Sequence, residues 1–182
     1  FTEAVYALDE ERTVNLGSLT IQPNDLIVLI GGNGSGKTSV AKALNDELEL
    51  NSGVAPTNYH SVLVSFEKQM ELFEADYQMR NSDCTTPEEE IGITPASYLK
   101  DCDESLLPEL IKGLKLEALM EKPIRTLSGG EGRKVLIAKA LASKPNLIIF
   151  DTPFDALDVE TRAELLKLIE DIHTVYQTPT VL

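Results

Sequence analysis

Tryptophan is missing from these 182 residues, and cysteine occurs only at Cys84 and Cys102. Two thiols at that separation have neither zinc-ligand nor redox-motif spacing. They exclude a disulfide-built scaffold and read as free thiols of a reducing, cytoplasmic compartment. No apolar stretch approaches the roughly 18 residues that a membrane helix needs, and no secretory-signal pattern is present, so no membrane span is expected. Basic residues are scarce, with 16 Lys and Arg against 30 Asp and Glu, for a formal net charge of −14. Such a balance argues against DNA, RNA or an anionic membrane as the main partner. Heptads and internal repeats are also lacking. What is abundant is apolar content, 42% of the chain, enough for one α/β domain with a full core. The chain opens on Phe1 and ends in Thr180-Val181-Leu182, and is read as a single truncated domain over 1–182.

The most informative stretch is Leu26 to Thr38, LIVLI-GGNGSGKT. Leu26-Ile27-Val28-Leu29-Ile30 predicts a strand buried on both faces of a parallel sheet. Gly31, Gly32, Asn33, Gly34, Ser35 and Gly36 then form a loop whose glycines let backbone N–H groups approach a polyanion. Lys37 supplies a point charge for β- and γ-phosphates, and the Thr38 hydroxyl is a hard oxygen ligand for Mg²⁺. Ser39 continues into a helix whose N-terminus adds a positive dipole. Strand, glycines, Lys-Thr and helix agree in order, and together they predict a nucleoside triphosphate site with Mg²⁺ at Thr38.

Around this core the pattern alternates. Two short β-like runs lie near Ala4–Leu8 and Thr13–Ile21, with a polar turn at 9–12. The helix after Thr38 is expected to run to about Leu50 and stop at Asn51-Ser52-Gly53. Ser61–Phe66 is a strand candidate. Residues 67–109 hold twelve acidic and three basic side chains, with an exposed loop expected at Thr85–Glu90. A helical portion is expected over about 67–142, including a helix near Glu109–Met120 and one from Leu127-Ser128-Gly129-Gly130-Glu131 to about Ala142. Leu147–Asp151 reads as a buried strand ending in a carboxylate, and Val159 to about Val175 as an amphipathic helix. Alternating strands and helices give an α/β fold with ligands at the carboxyl ends of the strands.

Asp151, at the end of its apolar strand, is placed like a carboxylate that holds Mg²⁺ beside a P-loop. Ser128 can cap a helix while Gly129 and Gly130 leave N–H groups open to a phosphate. With Asp155-Ala156-Leu157-Asp158 following, this set resembles the nucleotide-binding domains of ABC ATPases over essentially the whole chain. SFEKQMEL at 65–72, YQMRNSD at 77–83, LSGGEGRK and FDTPFDALD at 150–158 resemble the N-terminal half of ModF-like tandem proteins, linked to molybdate transport and photorepair.

The resemblance implies a P-loop NTPase fold with a parallel core sheet, a small antiparallel β portion and a helical portion. It implies ATP hydrolysis with Lys37, Asp151 and the position of Thr152 as catalytic, and Thr38 and Asp151 as metal ligands. It implies that Ser128, Gly129 and Gly130 close over ATP held by a second ABC ATPase domain, in the same chain or a homodimer, with Asp158 between the two sites. A membrane permease is the further partner it suggests, at the inner face of the cell membrane. The departures are equally specific. Thr152 stands where the family has Glu, and a hydroxyl is no general base near neutral pH. The Q-loop Gln position falls near Phe66, with Glu67 and Gln69 as candidate substitutes. Tyr6 is the nearest candidate for an adenine-stacking ring, a core or surface role being equally open. The alternatives are a half that binds ATP without hydrolysing it, or a tandem protein acting in DNA repair or translation.

Overall fold

The structure, a computed structural model, describes residues 1–80 and 92–182 apart from the side chain of Tyr176. The acidic loop expected at 85–90 and Cys84 lie outside the described residues. In chain order the strands are β1 (Thr2–Ala7), β2 (Thr13–Gly17), β3 (Leu26–Ile27), β4 (Leu50–Val54), β5 (Ser61–Ser65), β6 (Leu147–Asp151) and β7 (Thr180–Val181). The described helices are α1 (Lys37–Leu44), α2 (Phe66–Arg80), α3 (Pro95–Leu99), α4 (Leu107–Gly113), α5 (Gly129–Ala142) and α6 (Val159–Tyr176), with 3₁₀ turns at Glu117–Leu119 and Ile124–Thr126. They fall into two compact units. One comprises Phe1–Leu63, Pro145–Pro153 and Leu166–Leu182, the other Val64–Lys144 and Phe154–Leu165.

The first unit holds an antiparallel sheet ordered β2-β1-β4 and a sheet ordered β3-β7-β6-β5, in which β3, β7 and β6 run parallel. The turn between β1 and β2 is closed by Asp9, whose Oδ1 accepts from the N–H of Arg12 at 2.9 Å and whose Oδ2 accepts from Arg12 Nε at 2.6 Å. These bonds hold the Asp9 carboxyl below its ordinary pKa. β6 is buried along its whole length, as expected for an apolar strand covered on both faces. The α/β reading, with a parallel sheet, a smaller antiparallel sheet and helices, holds.

Three local expectations do not. Of Leu26–Ile30 only Leu26–Ile27 is strand, at the edge of the described sheet. Ile27 and Leu29 pack on the core while Leu26, Val28 and Ile30 are exposed, Ile30 by 92%. An edge strand with one covered face shows the two-residue alternation of its pleat whatever its composition. The helix after Thr38 stops at Leu44, with Asn45 as C-cap and Asp46 at φ +56°. Residues 50–54, including the expected helix stop, pair with β1 instead. The helix expected over 109–120 is cut at Gly113 because Lys115 turns to φ +58°. The N–H of Leu116 then bonds the Ile111 carbonyl at 2.8 Å and that of Lys115 the Lys112 carbonyl at 3.2 Å, a Schellman stop.

The second unit is helical. α5 buries Val135, Leu136, Ile137, Ala138, Leu141 and others around most of its circumference, which suits a helix surrounded by neighbours. α2 buries Gln69, Leu72 and Asp76. Asp76 Oδ1 accepts from the N–H of Ile93 at 2.6 Å, and Oδ2 pairs with Arg125 at 3.3 Å.

Candidate nucleotide site and signature motif

Parallel strands present their carboxyl ends along one edge of a sheet, and here that edge carries the candidate residues. Thr180 is in register with both Leu26 and Ile148, and Val181 with both Ile27 and Ile149. The pairing continues past β3, because the N–H of Leu29 bonds the Leu182 carbonyl at 2.7 Å. Asp151, two residues beyond Ile149, is therefore level with Leu29, two residues before the glycine loop begins. β3 and β6 are separated by one strand, so about 10 Å divides them.

The loop itself is exposed from Gly31 to Ser35. Gly34 at φ +79° and Gly36 at φ +94° occupy left-handed backbone that glycine adopts without strain. Gly36 is the N-cap of α1, and no side chain caps that end, so the first-turn N–H groups of Lys37, Thr38 and Ser39 lack the usual side-chain acceptor. Lys37 folds back over the loop, its Nζ donating to the carbonyls of Gly31 at 2.8 Å and Gly32 at 3.0 Å. The result is a ring of backbone closed by an ammonium group at a helix N-terminus. Such an arrangement receives a polyphosphate. Asp151 is 9% exposed, and Thr152 after it is exposed with φ +48°.

No cluster of three His, Cys, Asp or Glu able to hold a metal occurs among the described residues. The donor set at this edge is the Thr38 hydroxyl and the Asp151 carboxylate, both hard oxygens. That fits Mg²⁺, which is held by one or two protein oxygens together with waters and substrate phosphates.

In the second unit, Ser128 opens α5 with a capping box. Its Oγ accepts from the N–H of Glu131 at 3.2 Å, and its own N–H donates to Glu131 Oε2 at 2.7 Å. Ser128 and Gly129 are exposed, while Gly130 is buried. A Cβ on Gly130 would lie 2.5 Å from Thr161 Cγ2. The second glycine thus lets α5 and the start of α6 approach, a role the sequence did not reveal. Gly130→Ala is expected to destabilise by about 1–3 kcal/mol through overpacking, and Thr161→Ser, which removes that methyl, to restore most of it. Thermal unfolding of the two variants and their combination checks this. If Thr161→Ser gives no recovery, the close approach is not what requires glycine there.

The remaining candidates need correction or relocation. Tyr6 is 1% exposed among Ala4, Val14 and Ala43, with its hydroxyl pKa raised by burial, so its ring is core and not available to stack on adenine. Gln69 is buried and bonded within its own unit, Oε1 to Arg133 Nε at 2.9 Å and Nε2 to the Gly129 carbonyl at 3.0 Å. It is not free to serve as a Q-loop glutamine. Glu67 is exposed near the start of α2. Asp158 N-caps α6, Oδ1 accepting from the Thr161 N–H at 2.9 Å and Oδ2 from its hydroxyl at 2.6 Å. Both bonds favour the ionised carboxylate and lower its pKa. Sequence reasoning missed Arg133, fully buried in α5. Charged side chains are almost never buried unless paired, but nothing local marked this one.

Residues 14–155 match the ABC transporter family. The chain is 34% identical to the ABC transporter ATP-binding protein ModF of Escherichia coli, over 94% of this chain and 36% of that one. It is 31% identical to the zinc import ATP-binding protein ZnuC of Hydrogenovibrio crunogenus, over 94% of this chain and 66% of that one. It thus spans between about a third and two thirds of these relatives. Among solved structures, CbiO1 of Clostridium perfringens, part of the ABC transporter complex CbiONQ, superposes with a TM-score of 0.68 at 23% identity, over 99% of this chain and 75% of that one, a likeness of fold. The chain belongs to the ABC transporter family, as one of its ATP-binding domains.

Proposed function

We propose that this chain binds MgATP on the loop 31–39 and that ATP joins it to a second domain of its kind, hydrolysis then releasing the pair. The observation that carries the reading is the closed ring at the carboxyl edge of the sheet: Lys37 Nζ on the Gly31 and Gly32 carbonyls, over an uncapped helix N-terminus. Lys37 and the first-turn N–H groups would hold the phosphates, while Thr38 and Asp151 would hold Mg²⁺. The metal, when bound, neutralises phosphate charge. Ser128, Gly129 and Gly130 would meet ATP held by the second domain.

The finer identity is a ModF-like tandem protein linked to molybdate transport, of which this is the first ATP-binding half, placed in the cytoplasm or at the inner face of the membrane. Its support is SFEKQMEL at 65–72, FDTPFDALD at 150–158 and the 34% identity to ModF. No helix among the described residues is long and apolar enough to cross a membrane, so a transport role would need membrane-spanning segments other than these residues. A second reading, an ATP-operated switch that does not hydrolyse, is favoured by Thr152 alone.

Calorimetric titration of the full-length protein with ATP is expected to show micromolar binding, weakened at least about tenfold when EDTA removes Mg²⁺, the loss of one charge-neutralising contact. Binding indifferent to Mg²⁺ would sink the assignment of Thr38 and Asp151. Affinity purification of the same protein is expected to recover membrane permease subunits. Recovery of ribosomes or DNA instead would move it to translation or repair.

A further inference from the structure

One buried polar cluster of the second unit has no part in the scheme above. Gln69 is 2% exposed and Arg133 fully buried. Arg133 Nε donates to Gln69 Oε1 at 2.9 Å, and Gln69 Nε2 donates to the Gly129 carbonyl at 3.0 Å. The amide has one chemically sensible orientation here. Reversed, its NH₂ would face a guanidinium and its oxygen a carbonyl. Gly132 permits the approach, since a Cβ there would lie 2.6 Å from Gln69 Nε2. Phe66, one turn before Gln69 on α2, has its ring centroid 6.0 Å from the same guanidinium.

Burying a guanidinium and an amide costs free energy that two apolar side chains of similar volume would not incur. The bond they make ends on Gly129, the first residue of α5 and the centre of the Ser128-Gly129-Gly130 turn. Ser128 and Gly129 are exposed, and the capping box with Glu131 fixes only the Ser128 side of that turn. The link from Gln69 fixes the other side, from a helix 60 residues away in sequence.

We propose that Gln69 is a positioning residue: held by Arg133, it sets the Gly129 carbonyl and so the turn that presents Ser128, Gly129 and Gly130 to ATP. This rests on the reading that those three residues meet nucleotide bound by a second domain.

The test uses the full-length protein and a fluorescent, non-hydrolysable analogue, mant-AMP-PNP, whose slow release reports nucleotide trapped between paired domains. Gln69→Glu keeps an acceptor for Arg133 but replaces the donor to Gly129 with a repelling oxygen. Release of trapped analogue is expected to speed up about tenfold, the effect of one lost hydrogen bond, while initial binding at Lys37 stays within about twofold. The double variant Gln69→Leu with Arg133→Met removes the pair without stranding a charge. It is expected to keep the unfolding temperature and still release quickly, which a merely structural pair would not do. Wild-type release from either folded variant overturns the proposal. Ser128→Arg separates the two levels. If it abolishes trapping while the Gln69 variants do not, only the positioning role fails; if it too leaves trapping intact, the partner-facing reading fails.

Discussion

Lys37→Ala is expected to lose ATP binding while keeping the thermal unfolding transition of the unaltered protein. The two halves of that outcome have different causes. Lys37 Nζ bonds the Gly31 and Gly32 carbonyls at an exposed position, and a hydrogen bond exchanged with water contributes only about 0.5–1.5 kcal/mol to stability. The core of the first unit includes clusters built on Ala41, Leu44, Leu63, Leu147, Ile149 and Val181 and on Ala4, Tyr6, Val14 and Ala43, and Lys37 is not among the buried residues. The alanine that replaces it is the best helix former at the start of α1. The phosphates, by contrast, lose their one side-chain cation on the loop. Charge-assisted bonds contribute about 1.5–3 kcal/mol each, so losing two weakens binding by about 10²–10⁴-fold, taking a micromolar site to about 0.1 mM or weaker. Calorimetry with MgATP measures the first effect and differential scanning calorimetry the second. Unchanged affinity in the variant would remove Lys37 from the phosphate site and the P-loop reading with it.

The geometry of the glycine loop was legible because it is local. GGNGSGKT carries its own turn residues, charge and helix start, and the structure assembles them within nine residues of chain. β6 and α5 were legible as well, since Leu147–Asp151 and Gly129–Ala142 have the length and apolar content of fully covered elements. What failed depended on partners distant in sequence. The burial of Leu26–Ile30 is set by what lies beside the strand, not by its composition. Leu50–Val54 is exposed at every position and is a strand only because β1 offers it backbone groups. Tyr6 alternates correctly for either face of β1, and Val14 across the hairpin together with Ala43 of α1 decides that it is core. Gln69 drew attention as a Q-loop substitute, yet its partners lie in α5, and no spacing rule on α2 indicates that a buried arginine waits there.

Thr152→Glu is expected to raise ATP hydrolysis at the Lys37 site by about 10²–10⁴-fold, the usual contribution of a positioned general base. A water attacking the γ-phosphate must be oriented, and its proton accepted late in a loose transition state. A carboxylate does both, whereas the Thr152 hydroxyl can only hydrogen-bond. The position is suited to the exchange. Thr152 is exposed directly after Asp151 and holds φ +48°, where a β-branched side chain is strained by about 1–3 kcal/mol. Glutamate, unbranched at Cβ, adds no strain there, so the variant should be at least as stable as the unaltered protein. ATP affinity should barely change, because Lys37, Thr38, Asp151 and the loop N–H groups are untouched. Single-turnover hydrolysis in the full-length protein, with the second ATP site disabled, isolates this one. Without the substitution the site should retain ATP for many minutes, and with it turn over. If the unaltered site already hydrolyses at the rate of the glutamate variant, another group orients the water. Gln69 is excluded from that role by its bonds to Arg133 and Gly129, which leaves exposed Glu67 as the residue to replace next.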